Sequence, residues 1–486
     1  MPVTQAPAIS WQAIGPVLAL GGGAVVALLI GAVRQQVSRV VLAGVTLISI
    51  AVSGGLTYSL AGKHIVGMQG MVASDGVALF TNLTLLVTAA LVTLVSFHYL
   101  RARRIHRVEY YPLLLLATAG MVMLAAANDL IMVFIALEVL SLALYVMVSM
   151  ARRDAGAQEA ALKYFLLGAF SSAILLYGIA LIFGGAGTTN ISRIAGQVAA
   201  GSMDNRLVFV GLGLILIGFA FKIAAVPFHM WTPDVYQGAP TSVTAFMAGG
   251  TKAAGFAALL RVLMVSFGSL QWDWRPAMFV LSIVTMVVGS LLAIAQTDVK
   301  RLLAYSSIAH AGFVLVGVVA ANGEGLAGAL FYLLVYAVMT VGAFAAVMVS
   351  APNGKERLDL TSWTGLGQRH PVFAGVMTLF LLSLAGIPPT AGFMGKFYVF
   401  SAAINAGETG LVVAGVLASV VAAFFYLRLI VVIWLEDAPA EDGDGGLGLT
   451  RPASVALALA SIAVVAVGVW PQALMDLARH AAVFTG

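Results

Sequence analysis

The stretch Leu207-Val-Phe-Val-Gly-Leu-Gly-Leu-Ile-Leu-Ile-Gly218-Phe-Ala-Phe-Lys222-Ile-Ala-Ala-Val-Pro227-Phe-His229-Met-Trp-Thr-Pro233 carries one charge, Lys222, in the twenty residues before its first proline. About 20 mostly apolar residues is the length that crosses the hydrocarbon core of a bilayer. Pro227 removes an N–H and disrupts the helix there, freeing carbonyls that need water or side chains as partners. A second stretch repeats the theme with the break placed before the lysine: Ala385-Gly-Ile-Pro388-Pro389-Thr-Ala-Gly-Phe-Met-Gly-Lys396-Phe. The two lysines are 174 residues apart and the two prolines 161. Spans interrupted by Gly and Pro at matching places in two halves point to an inverted repeat with its site near the membrane midplane.

The whole chain supports that reading. Its 486 residues are 61% hydrophobic and only 9% charged, against about 25% charged in a soluble domain. The solvent is therefore lipid. Apolar runs fall near 14–33, 40–60, 77–98, 111–127, 129–150, 159–184, 207–226, 241–266, 277–296, 302–321, 325–350, 372–402, 410–435 and 452–470. Backbone groups in hydrocarbon must be satisfied within their own segment, so runs this long are helices, and nothing shows the alternation of a membrane barrel. The fold class is an all-α integral membrane protein of about 14 transmembrane helices, with helices 7 and 12 broken and two inverted five-helix repeats. Residues 1–110 hold three leading helices, 111–270 the first repeat, 271–437 the second, and 438–486 a loop and the last helix. Met1 to Trp11 lacks a basic segment, so the first run is expected to be a retained span and not a cleaved signal.

The net charge of +5 does not imply nucleic acid, because the basic residues sit in short loops. Fourteen of the 25 Lys and Arg fall in odd-numbered loops (Arg34, Arg39, Arg101, Arg103, Arg104, Arg107, Arg152, Arg153, Lys300, Arg301, Lys355, Arg357, Arg369 and Arg451). Six fall in even-numbered loops and tails: Lys63, Arg193, Arg206, Arg261, Arg275 and Arg479. The odd loops are therefore expected on the cytoplasmic side of a bacterial plasma membrane, with both termini opposite. The acidic stretch from Glu436 to Asp444 reads as a solvated cytoplasmic linker. Cysteine is absent, which excludes disulfides, iron–sulfur ligation and Cys-bound zinc. There is no dinucleotide fingerprint, phosphate loop, nucleophile triad or paired haem histidine, so no cofactor or metal is expected in this chain.

Five basic residues remain inside apolar runs: Lys163, Lys222, Lys252, Lys396 and Arg428. A charge at mid-bilayer costs roughly 2.5–3.5 kcal/mol on insertion scales and faces a bundle interior or a wet cavity. Burial favours the neutral amine and a nearby carboxylate the charged one, so a proton is gained or lost through small changes around it. Glu138, about nine residues into the fifth run, is the carboxylate placed to partner a lysine; a structural ion pair is the alternative. Lys252 lies in Ala248-Gly-Gly-Thr-Lys252-Ala-Ala-Gly255, among small residues that let helices approach closely. Lys163 stands a turn into its span and is either a relay group or a side chain reaching the interface. His310 is a relay group or a satisfied core histidine, and His229 a relay or loop residue. Arg428 reads as an interfacial anchor.

The runs Ala136-Leu-Glu138-Val-Leu-Ser-Leu-Ala-Leu-Tyr145, Glu159-Ala-Ala-Leu-Lys163-Tyr and Lys222-Ile-Ala-Ala-Val-Pro-Phe-His229-Met-Trp-Thr-Pro resemble the subunit N family of bacterial NADH:quinone oxidoreductase, respiratory complex I. Gly386-Ile-Pro-Pro-Thr-Ala-Gly-Phe-Met-Gly-Lys396-Phe continues the likeness, which covers essentially the whole chain. The resemblance implies a cofactor-free, proton-translocating subunit of the membrane arm, in contact with its antiporter-like neighbours and the lipid bilayer. NAD, FMN, iron–sulfur clusters and quinone would belong to partner subunits. It further implies a relay through Glu138, Lys222, Lys252 and Lys396, with Lys163 and His310 at positions implicated in the family. Subunit M is a close competitor. Subunit L is expected to carry a long C-terminal lateral helix, which does not fit this sequence. A subunit of a multisubunit Na⁺/H⁺ antiporter is the alternative, disfavoured because a sodium site wants more intramembrane oxygen ligands than Glu138 supplies. A passive membrane scaffold is the reading without transport.

Overall fold

A computed structural model describes residues 10–33, 39–105, 107–350, 356–437 and 446–485. Its helices are α1 (Trp11–Val33), α2 (Arg39–Ser59), α3 (Gly76–Ala102), α4 (Tyr110–Ala126), α5 (Leu130–Val148) and α6 (Ala155–Ala186). There follow α7 (Ile191–Ala200), α8 (Asn205–Ile223), α9 (Trp231–Gly238), α10 (Thr241–Ser266), α11 (Gln271–Ile294) and α12 (Val299–Ala320). The chain closes with α13 (Gly323–Val349), α14 (Pro371–Ala385), α15 (Ala391–Asn405), α16 (Thr409–Leu435), α17 (Arg451–Val469) and α18 (Gln472–Ala481). Among the described residues, twelve helical segments are long and apolar enough to cross a membrane, and α4 and α14 are shorter apolar helices.

The bundle is inside-out only in part. Helices α10, α12 and α13 are almost wholly enclosed, whereas α1 and α17 turn most of their surface outward. Leu29, Phe170, Val420 and Ile462 lie on that outer surface. An apolar exterior of this extent would aggregate in water and is stable against acyl chains.

Both predicted breaks are present. Helix α8 stops at Ile223, one residue after Lys222, with Ala224 left-handed at φ 62°, and helical structure resumes at Trp231. The run at 372–402 is not one helix but two, because Gly386 at φ 84° caps α14 and the prolines delay α15 until Ala391. A Cβ on Gly386 would also lie 2.9 Å from Lys396 Cδ, so only glycine fits both the turn and the close approach. Helix α10 is continuous but widens into π turns at Met247–Thr251 and Val262–Ser266, and Lys252 follows the first of them. Such turns in a helix concentrate at functional sites.

Aspartates set two of the helix starts in matching ways. Asp129 caps α5 and bridges to Asn190, and Asp298 caps α12 and bridges to Asp359. The amide of Leu130 bonds the Thr189 carbonyl at 2.8 Å and that of Val299 the Leu358 carbonyl at 2.7 Å.

Three expectations are corrected. Arg261, read as a loop residue, is fully buried in α10, where it pairs with an aspartate distant in sequence. Lys300, also read as a loop residue, is the second residue of α12 and is buried. A two-stranded hairpin (Ile65–Gly67 with Val72–Ser74) and the short helices α7 and α18 lie outside the predicted runs. Arg34, Lys355 and most of the acidic linker fall outside the described residues.

Candidate functional site: a buried row of amines

Lys222 points into the bundle from the end of α8 and is 4% exposed. Its ammonium donates to Ser141 Oγ at 2.9 Å on α5 and reaches Tyr164 Oη at 3.4 Å on α6. Its stem packs on α10 at Gly255, where a Cβ would lie 3.7 Å from Lys222 Cγ, one turn from Lys252. The expected partner, Glu138, is half-buried on the same helix as Ser141 and accepts from Ser172 Oγ at 2.5 Å. The two do not form a direct ion pair: no contact of 4 Å or less joins them. Beside Lys222 lies a cavity of about 10 Å³ lined also by Ser141, Tyr145 and Ser172, the serine that donates to Glu138. That is room for about one water molecule with polar partners around it.

Lys252 is buried, donates to the Ser307 carbonyl of α12, and stands 5.6 Å from the centre of the Tyr336 ring. His310 lies one turn beyond Ser307 and is also buried. Its Nδ1 pairs with Tyr332 Oη at 2.8 Å and its Nε2 with Tyr426 Oη at 3.3 Å, while Tyr426 also meets Ser306. Lys396 is held over the Phe313 ring at 4.6 Å and donates to Ser419 Oγ at 2.7 Å and the Ala385 carbonyl at 2.8 Å. That carbonyl belongs to the last residue of α14, so the helix break supplies the acceptor. Lys222, Lys252, His310 and Lys396 thus form one interior row, each amine on a hydroxyl or carbonyl and none on a carboxylate.

Lys163 and His229 stand apart from that row. The Lys163 side chain is 41% exposed and is paired with Glu159 at 2.6 Å and Asp234 at 2.7 Å. Asp234 also takes Arg301 at 2.6 Å. His229 is half-buried in the irregular segment after Pro227 and has no hydrogen bond to the buried lysines; its Nδ1 is enclosed without a partner. Arg428 donates to the Ile294 carbonyl at 3.2 Å. Among the described residues no three of His, Asp and Glu gather as a metal site.

The hydroxyl partners escaped the sequence reading, as did the Asp75–Arg261 and Glu356–Lys300 pairs. Arg261 had a signal, since it falls inside the run 241–266.

A membrane-sized helical bundle with two broken helices and titratable side chains in its interior is an antiporter-like membrane subunit. Residues 127–422 match the family described as NADH:quinone oxidoreductase/Mrp antiporter, transmembrane. The subunit N of NADH-quinone oxidoreductase from Trichlorobacter lovleyi is 42% identical over 93% of each chain, and that of Mycobacteroides abscessus 43% identical over 99% of each. The chain belongs to the NADH-quinone oxidoreductase subunit N family. A chain of respiratory complex I from Thermus thermophilus superposes with a TM-score of 0.80 at 35% identity, over 95% of this chain and 98% of that one. A chain of the Mrp complex of a Dietzia species, at 22% identity and TM-score 0.84, covers 98% of this chain and 97% of its own, and shares the fold.

Proposed function

We propose that this chain is a proton-translocating subunit of NADH:quinone oxidoreductase in the bacterial plasma membrane, relaying protons along Glu138, Lys222, Lys252, His310 and Lys396. NAD, flavin, iron–sulfur clusters and quinone belong to partner subunits, and quinone reduction there drives the relay. The observation that carries this reading is that Lys222, Lys252 and Lys396, all buried, rest on hydroxyl and carbonyl oxygens with no carboxylate among the described residues within 4 Å. A buried charge without a partner is expensive, by several kcal/mol per ion. An amine held by neutral oxygens alone therefore exchanges its proton at little cost when a neighbour's charge changes. Ser141, Tyr426 and Ser419 each set a neutral hydroxyl beside one member of the row, Lys222, His310 and Lys396 respectively, in a low-dielectric interior.

Residues 111–270 and 271–437 are read as two inverted repeats. Support comes from the bridges Asp129–Asn190 and Asp298–Asp359, whose members share one offset in sequence and lie by loop parity on opposite ends of the bundle. Odd-numbered loops face the cytoplasm and both termini the other side. Lys163 and His229 lie at the margin and are assigned lesser roles, Lys163 through its carboxylates.

The test is Lys222→Met in the complete enzyme, reading assembly, NADH:quinone turnover and proton pumping in inverted vesicles. Pumping is expected to fall at least tenfold with assembly retained. An assembled variant pumping at the original rate removes Lys222 from the route.

A further inference from the structure

Glu356 is a buried carboxylate that the row of amines does not use. Its side chain is 2% exposed, like that of Lys300, and Oε2 lies 3.9 Å from the ammonium. Lys300 gives its close hydrogen bond, 2.7 Å, to the Ala239 carbonyl instead. The other carboxylate oxygen accepts from the hydroxyl of Thr241, the first residue of α10. The amide of Thr241 in turn donates to Tyr99 Oη at 2.9 Å. Interior carboxylates are ordinarily saturated with close cationic or amide partners. Glu356 has one hydroxyl partner, the Lys300 ammonium just inside ion-pair range and the Arg103 guanidinium in the same electrostatic neighbourhood, so it is not locked into a close salt bridge with either cation.

The surroundings give that proton a source. A polar basin of about 300 Å³ opens over Glu356 and Lys300, with Arg103, Asp154, Lys163 and Asp234 on its walls. Arg103 and Asp154 are 27% and 45% exposed at its rim, so the basin reaches solvent. Roughly 30 Å³ of liquid serves one water, so it holds several. From the floor of this basin α10 runs inward, and Lys252 lies eleven residues along it, about 16 Å deeper at 1.5 Å per residue. Near Lys252 the hydroxyls of Ser307 and Tyr336 are buried without direct partners, which keeps polar groups along the last part of the path.

We propose that Glu356 is the entry acid of the proton route, loading from the basin and discharging by way of Thr241 toward Lys252. One proton moves and no electrons do. An O–H bond of a basin hydronium breaks as the carboxyl O–H forms. Thr241 then accepts that proton on oxygen as it releases its own inward to a file of water molecules. Each water takes up one proton and gives up another, until the last hands its proton to the neutral amine of Lys252, which gains one N–H bond. Glu356 is left charged and ready to reload. This assignment rests on the relay reading above.

The test uses the complete enzyme in liposomes, with NADH:quinone-driven pumping as the readout. Glu356→Gln is expected to assemble and to pump about tenfold more slowly, a small instance of a lost general acid. Formate at tens of millimolar, a small diffusible acid, is expected to restore most of the loss, and Glu356→Asp to retain most of the rate. Original pumping in Glu356→Gln, or a loss that formate leaves unchanged, overturns the assignment. If Glu356→Gln does not assemble, Thr241→Val serves in its place: a severalfold loss supports the route and an unchanged rate overturns it. Lys252→Met distinguishes the two levels. Unchanged pumping in Lys252→Met removes the relay itself, whereas impaired Lys252→Met beside intact Glu356→Gln removes only the entry acid.

Discussion

Arg261 and Asp75 form a bidentate ion pair, at 2.6 and 2.8 Å, in which both side chains are fully buried. Asp75 also caps α3 through the Ala78 amide at 3.0 Å and accepts from the Thr485 amide at 3.1 Å. Phe484 lies 5.1 Å beneath the guanidinium. One pair thus ties α10, the start of α3 and the C-terminal segment together.

Removing one partner of such a pair costs about 3–5 kcal/mol, because the other charge is stranded, whereas exchanging both for apolar groups is close to neutral. Arg261→Ala is therefore expected to lower the amount of assembled enzyme and its thermal midpoint sharply. The double substitution Asp75→Leu with Arg261→Met should recover much of that loss. Blue native gels and melting of the purified complex measure both. Single and double variants of equal stability would mean that the pair contributes nothing beyond its two separate side chains.

The fold was legible where composition and breakers speak locally. Lys222 and Lys396 stand out because each interrupts an apolar run near prolines, and the broken helices lie where those prolines put them. Arg261 falls inside the run 241–266, which signalled burial and was passed over; its partner Asp75 is 186 residues away, and no local pattern announces a pairing that long. Lys300 was misplaced for a similar reason: it follows a helix-capping aspartate and looks solvated until the segment bearing Glu356 covers it. The hydroxyls that receive the amines were invisible in principle. Serine and tyrosine are frequent in membrane helices, and only the packing of α5 and α16 selects the hydroxyls of Ser141 and Ser419, as that of α12 selects the Ser307 carbonyl for Lys252.

Gly386 joins backbone and site. At φ 84° an alanine is strained, and its Cβ would sit 3.0 Å from the Lys396 ammonium. Strain of about 1–2 kcal/mol and displacement of the amine from the Ala385 carbonyl act together. Gly386→Ala is expected to pump at least severalfold more slowly while the enzyme still assembles. Proton flux and native gels on the same membranes test this, and undiminished flux would show that the lysine tolerates a shifted turn.

Tyr426 is the hydroxyl that His310 and Ser306 share. Tyr426→Phe keeps the ring and removes that junction, leaving a buried imidazole nitrogen without its acceptor or donor at a cost of about 1–3 kcal/mol. A relay through His310 predicts a severalfold loss of pumping in Tyr426→Phe, with a larger loss in His310→Leu. Stability losses without any change in flux would return His310 to the role of a satisfied core residue.

The peripheral lysine separates from the buried ones by its response to salt. Lys163, Glu159 and Asp234 have side chains 41%, 65% and 32% exposed, so solvent and ions screen their attraction. The screening length falls from about 10 Å at 0.1 M to about 3 Å at 1 M ionic strength. If Lys163 acts through Asp234, which also holds Arg301 of α12, its influence is electrostatic and exposed, and high salt should mimic its removal. Pumping by Lys163→Ala is therefore expected to lie a fewfold below the original at low ionic strength and to converge with it as salt is raised. Lys222→Met has no exposed field to screen and should stay impaired throughout. A Lys163→Ala deficit as deep as that of Lys222→Met at every ionic strength would place Lys163 in the proton route itself, since screening cannot imitate the loss of a group that carries the proton.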